Sequence, residues 1–246
     1  MPPLMILGIG LLISVVVCMA LGWSLERVAY RPLRGAPRLT PLITAIGMSM
    51  VLQNVAMIIW GRNYITFPPM IEKHIFHVGG ATFTNVQVAI VTLAALVMLG
   101  LIYLVHRTRL GMAMRATAQN PQVASLMGVD INRVIAMAFV IGSALGAVAG
   151  CMVGSYYEIA HYQMGFMLGL KAFTAAVLGG IGNLAGAMAG GILLGVIEAL
   201  GAGYIGQLTG DFLGSHYQDI FAFIVLIVVL MFRPSGLFGE RTGDRA

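Results

Sequence analysis

Residues 86–105 read VQVAIVTLAALVMLGLIYLV, and the chain turns at once to HRTRLGMAMR at 106–115. The first run carries no charge. A helix of about 20 apolar residues crosses the roughly 30 Å of hydrocarbon in a bilayer. Lipid offers no outside partner to a backbone N–H or C=O, so such a run spans as a helix. The same alternation recurs along the chain. Apolar runs are read at 4–25, 41–60, 86–105, 134–154, 166–182, 184–204 and 217–232.

Positive charge is sorted between the gaps. Eleven of the fourteen basic residues lie in three of them: Arg27, Arg31, Arg34 and Arg38; Arg107, Arg109, Arg115 and Arg133; Arg233, Arg241 and Arg245. The intervening loops hold Arg62 and Lys73, and Lys171 lies inside an apolar run. Lys and Arg are retained on the cytoplasmic side during insertion. The loops at 26–40 and 106–133, the link at Asn183 and the C-terminus are therefore expected inside. The stretches 61–85, 155–165 and 205–216 are expected outside. An odd number of spans that starts outside predicts that earlier spans are missing.

Composition agrees. The 246 residues are 59% apolar and 9% charged, with a mean hydropathy of +0.92, whereas a soluble domain carries about 25% charged residues. Too few polar groups exist to cover a water-facing surface. The expected architecture is an all-α, polytopic membrane bundle of about seven transmembrane segments in a single domain over 1–246. The net charge of +5 reflects topology signals; no aromatic side chains interleave the basic clusters as nucleic-acid stacking would need. The first run lacks a basic leader and exceeds a signal core in length, so it reads as a span. Cys18 and Cys151 both lie in apolar runs and read as inert thiols.

The fifth run is short and contains Lys171; it is read as a span, or as re-entrant or broken around Gly179, Gly180 and Gly182, which leaves six or seven crossings. Gly142, Gly146, Gly150 and Gly154 recur every fourth residue, as do Gly182, Gly186 and Gly190. Residues four apart share a helix face, and small residues let membrane helices approach closely. Gly146-Ala-Val-Ala-Gly150 and Gly186-Ala-Met-Ala-Gly190 also resemble each other, as in an internal repeat.

No catalytic constellation stands out: His-Glu-x-x-His, Gly-x-Ser-x-Gly and the phosphate loop are all missing. No metal or cofactor is expected. Glu72, Lys73, His74 and His77 cluster in an outer loop and read as solvated. Tyr156, Tyr157, Glu158, His161 and Tyr162 fit an interfacial belt. Glu198 is different. A carboxylate deep in a span is a candidate for the translocation path, and Lys171 is the opposite charge in a neighbouring run, although their expected depths differ.

The loop at 106–133 predicts a short helix. Asn120 is a capping side chain, Pro121 is pre-set for the first helical position, and Gly128 suits a left-handed stop. Val123, Leu126 and Met127 then form an apolar knob. A helix this short needs tertiary or partner packing, so it reads either as a surface turn or as a docking helix for a cytoplasmic partner.

These residues carry a resemblance. Gln122-Val123-Ala124 with Gly128 resembles in part the Glu-Ala-Ala coupling loop of ABC-importer permeases. The stretches ERVAYRPLRG (26–35), LITAIGMS (42–49), LQN (52–54), GLKAFTAAVLGGIGN (169–183) and RPSGLFG (233–239) are similar to LivH-type permeases of branched-chain amino-acid ABC transporters. The resemblance covers nearly the whole chain. It implies a non-enzymatic inner-membrane subunit that works with a second permease, two cytoplasmic ATPases and a periplasmic binding protein. Arg115, Asn120, Pro121, Val123, Ala124, Leu126, Met127 and Gly128 would form the surface met by the ATPases. Family members usually begin with further apolar spans and an Asn-Phe-Ala-His-Gly-like stretch, which this chain is expected to lack. Urea or short-amide import within the family stays open, as does an ion-coupled secondary carrier. A membrane enzyme is disfavoured by the missing nucleophile, acid/base and metal clusters.

Overall fold

Helix stands at each apolar run. In the computed structural model, which describes residues 3–37, 39–68, 74–78, 81–180, 182–205, 218–233 and 236–239, these are α1 (Pro3–Leu25), α2 (Leu39–Trp60), α3 (Asn85–Arg107), α6 (Ile131–Tyr157), α7 (Met164–Gly179), α8 (Leu184–Leu200) and α9 (Gln218–Phe232). The loop between α3 and α6 is itself helical, as α4 (Arg109–Gln119) and α5 (Pro121–Leu126). Only the second of these was legible beforehand. Four segments among the described residues are long and apolar enough to cross a membrane: Met5–Leu33, Thr40–Trp60, Asn85–Arg107 and Ile131–Tyr157. The pair α7 and α8, bent by 118°, passes as one broken span, which makes up to five. About seven crossings were expected; helices stand at all seven apolar runs, but four or five of the described segments qualify as spans. The last three have 16, 17 and 15 residues, or about 22–26 Å at 1.5 Å per residue, short of the bilayer core. The chain is an all-α, multi-pass membrane protein, amended by two small two-stranded ribbons.

Helix starts follow local chemistry. The first N–H groups of a helix have no partner within it. Thr84 and Gln87 cap α3 reciprocally. Thr108 Oγ1 accepts from Gly111 N–H, Asp130 Oδ1 from Arg133 N–H and Asn183 Oδ1 from Gly186 N–H. These four breaks thus carry their own polar punctuation.

Two compact units divide the chain, Met1–Met164 and Gly165–Ala246. In the first, α1 packs along α6. A Cβ on Gly22 would lie 2.0 Å from Ser143 Oγ and 3.0 Å from the Phe139 carbonyl oxygen, so only glycine permits this crossing. Beyond α1 the chain widens into a π turn, Glu26–Tyr30, and then tightens into a short 3-10 turn, Arg31–Leu33. Tyr30 meets Phe139 with ring centroids 4.8 Å apart. Strand β1 (Ile65–Thr66) pairs antiparallel with β4 (Ile159–Ala160), and β2 (Ile75–Val78) pairs with β3 (Ala81–Thr84). Glu158, with φ +57, turns the chain from α6 into β4, and Phe67 N–H donates to its carbonyl at 2.8 Å.

In the second unit α8 ends in a π turn, Gly201–Ile205, and packs against α9. Among the described residues few apolar side chains are buried, such as Ala147, Ala175 and Leu178, while many large ones, such as Leu12, Ile58 and Leu96, are exposed along the helices. A chain whose solvent is lipid has no reason to hide them.

Candidate functional site

The α4–α5 segment presents the clearest surface. Asn120 Oδ1 accepts from the N–H groups of Gln122 at 3.0 Å and Val123 at 3.1 Å. Pro121 occupies the first turn and needs no such partner. At the other end Gly128 has φ +84. Its N–H donates to Ser125 C=O at 3.0 Å, and Val129 N–H donates to Ala124 C=O at 3.1 Å. This is the paired closure of a Schellman stop. Ala124 faces inward at 4% exposure, while Leu126 and Met127 stand out at 85% and 80%. Val123 is half exposed between them, and Arg115 is exposed on α4. Gly111, buried at the start of α4, lies so close to α3 that a Cβ would come 2.2 Å from Val105 C=O. Both ends of α5 are thus closed by local hydrogen bonds, and its apolar knob is left in the open.

A cluster missed in the sequence lies beside it. Glu26 is 3% exposed at the entry to the π turn. Arg34 Nη2 donates to Glu26 Oε1, and Arg34 Nη1 donates to Asn132 Oδ1 at the start of α6. The signal was present. Glu26 is the one carboxylate among Arg27, Arg31, Arg34 and Arg38, but those arginines were read only as topology markers.

Lys171 and Glu198 do meet. Lys171 Nζ donates to Glu198 Oε2 at 3.0 Å, with 27% and 16% of the side chains exposed. The depth objection dissolves on the helix geometry. The bend of 118° between α7 and α8 folds the second helix back toward the first, so two side chains 27 positions apart meet. Glu198 Oε1 is buried without a hydrogen-bond partner among the described residues.

The glycines separate into kinds. Gly142, Gly146 and Gly150 have open space around a built Cβ, so this face meets nothing within the described chain. Gly154 lies 3.3 Å from the Phe67 ring by the same measure, and Gly186 and Gly190 approach the carbonyls of Gly179 at 2.5 Å and Ala175 at 2.3 Å. Gly182 does not pack; its φ of +96 makes a turn. Gly180, at φ +108, lets the segment 236–239 close in. Leu237 and Phe238 N–H groups donate to the carbonyls of Leu178 and Gly179, and Asn183 Nδ2 donates to Phe238 C=O at 3.1 Å.

His161 stacks on Tyr64 at 4.5 Å between ring centroids and Tyr156 meets Tyr157 edge-on. His74 and His77 are exposed, and Glu72 and Lys73 lie outside the described residues.

Comparison with known proteins agrees with this architecture. The family described as branched-chain amino acid transport system / permease component matches residues 1–230. The high-affinity branched-chain amino acid transport system permease protein BraD of Pseudomonas aeruginosa is 45% identical over 97% of this chain and 76% of its own length. The corresponding LivH of Escherichia coli K12 is 42% identical over 96% of this chain and 75% of its own length. A xylose/arabinose import permease of Sulfolobus acidocaldarius is 32% identical over 73% of this chain. No solved structure matches. The chain belongs to the family of branched-chain amino acid transport system permease components.

Proposed function

We propose that this chain is the permease subunit of an ATP-driven importer of branched-chain amino acids. It would form the translocation path as a single transmembrane domain over 1–246 in a bacterial inner membrane, with its C-terminus in the cytoplasm. Two cytoplasmic ATPases hydrolyse ATP, a second permease completes the path, and a periplasmic binding protein delivers substrate. What supports the substrate class is the name carried by relatives more than 40% identical over nearly the whole chain.

The observation that carries the mechanism is α5. Its backbone is closed at both ends, its inner side rests on Ala124, and Leu126 and Met127 project from a basic loop between two spans. An exposed apolar knob of this kind fits a groove on a partner. In this reading Arg115, Asn120, Pro121, Val123, Ala124, Leu126, Met127 and Gly128 form or support the ATPase-facing surface, and motion there reaches the spans through α4 and α6. Lys171 and Glu198 line or gate the path. The open face of Gly142, Gly146 and Gly150 suits close approach of a neighbouring permease helix, while Gly154, Gly182, Gly186 and Gly190 shape the subunit itself.

The test is reconstitution. The chain, its permease partner, both ATPases and the binding protein are placed in liposomes with radiolabelled leucine or urea. Leucine uptake that requires ATP is expected. Burying Leu126 contributes about 1.5–3 kcal/mol, so Leu126→Asp is expected to weaken ATPase co-purification by at least about tenfold with membrane insertion intact. Uptake that ignores ATP and collapses with an ion gradient would refute the reading.

A further inference from the structure

We infer that Arg34 is a positioning residue that couples the docking helix α5 to the end of the first span, an inference that rests on the permease reading above. Three independent features meet at this side chain. Glu26 is a carboxylate with 3% exposure, and a buried charge is tolerated when it is paired. Arg34 supplies that pairing with one nitrogen and reaches Asn132 with another. Asn132 is the second residue of α6, whose first turn is capped by Asp130.

The junction between α5 and α6 is short and stiff. Met127–Asp130 is all that separates them, and the Val129-to-Ala124 hydrogen bond closes it. A displacement of α5 therefore has little slack in which to be lost before it reaches Asn132. On the other side of the bridge Glu26 opens the π turn. Such widened turns occur disproportionately at functional sites, and a wider ring can tighten or slip by one residue. Arg34 thus holds the π turn of the first span against the root of the docking segment. When α5 moves, Glu26 either follows Arg34 or loses its counter-charge.

Ordinary packing of α1 on α6, through Gly22 with Ser143 and Tyr30 with Phe139, could hold these ends together without Arg34. The alternatives separate at Asn132, which is exposed and can be truncated without leaving Glu26 unpaired. In the reconstituted importer, leucine moved per ATP hydrolysed is measured for the parent, Asn132→Ala, Asn132→Asp and the neutral pair Glu26→Gln with Arg34→Gln. Asn132→Ala is expected to assemble, keep its basal ATPase and lose about fivefold or more in leucine per ATP. Asn132→Asp keeps an acceptor for Arg34 and is expected to retain coupling. The neutral pair is expected to lose it with Glu26 no longer charged. An Asn132→Ala importer with the parental ratio overturns the inference while leaving the permease reading intact. Loss of assembly in Asn132→Ala also overturns it, since that marks a purely structural contact. A parent complex that imports no branched-chain amino acid sinks both.

Discussion

Removing the ammonium of Lys171 while keeping its length, as Lys171→Met, isolates the worth of the pair with Glu198. At the observed 3.0 Å, an effective dielectric of about 20 gives an attraction of roughly 5–6 kcal/mol. Desolvation of both charges offsets much of this, so the intact pair adds little net stability. The single change is another matter. It leaves a carboxylate whose Oε1 already has no hydrogen-bond partner among the described residues, and breaking this part-buried pair costs at most about 3–5 kcal/mol, the cost for a fully buried one. For a chain of this size that is a fall of at most about 6–20 °C in Tm. Glu198→Gln made together with Lys171→Met removes the orphaned charge, so the double variant is expected to recover about 2–3 kcal/mol of the loss. The measurement is thermal unfolding of the purified chain in detergent for the parent, both singles and the double. Additive losses, with no recovery in the double, would refute the claim that the two groups are energetically coupled.

Asn120→Ala removes the oxygen that satisfies two N–H groups of α5; a loss of about 1 kcal/mol in local helix stability is expected, read as faster amide exchange at 122–127 and weaker ATPase association. Gly22→Ala puts a Cβ 2.0 Å from Ser143 Oγ and is expected to cost about 1–3 kcal/mol in detergent unfolding. If it unfolds as the parent does, α1 and α6 do not cross as described.

Much of the architecture was legible because lipid imposes one demand over a long stretch. A run such as 86–105 has no charge to hydrate and must close its own hydrogen bonds, so length and hydropathy identify the helix without knowledge of its neighbours. The cap of α5 was legible for a related reason: Asn120, Pro121 and Gly128 act on backbone groups within a few residues. The helix α4 was not. Its sequence, RLGMAMRATAQ, has no apolar run of membrane length, and Gly111 argues against helix until its contact with Val105 is known.

The glycines show where local reasoning stops. Spacing placed Gly142, Gly146, Gly150 and Gly154 on one face, which is a property of helix geometry. Which of them touches another backbone depends on where other helices lie, and Gly154, Gly186 and Gly190 met neighbours while the first three did not. Charge behaves in the same way. The count of arginines around 26–38 reads as an orientation signal, since insertion responds to charge summed over a loop. That one of them, Arg34, reaches across to Asn132 and a buried Glu26 was decided by the crossing of α1 and α6, which brings residues 98 positions apart within hydrogen-bond reach. Helix existence and capping are near-neighbour physics written in composition and spacing. Pairings between helices arise only once the bundle has formed, and tertiary structure alone assigns them.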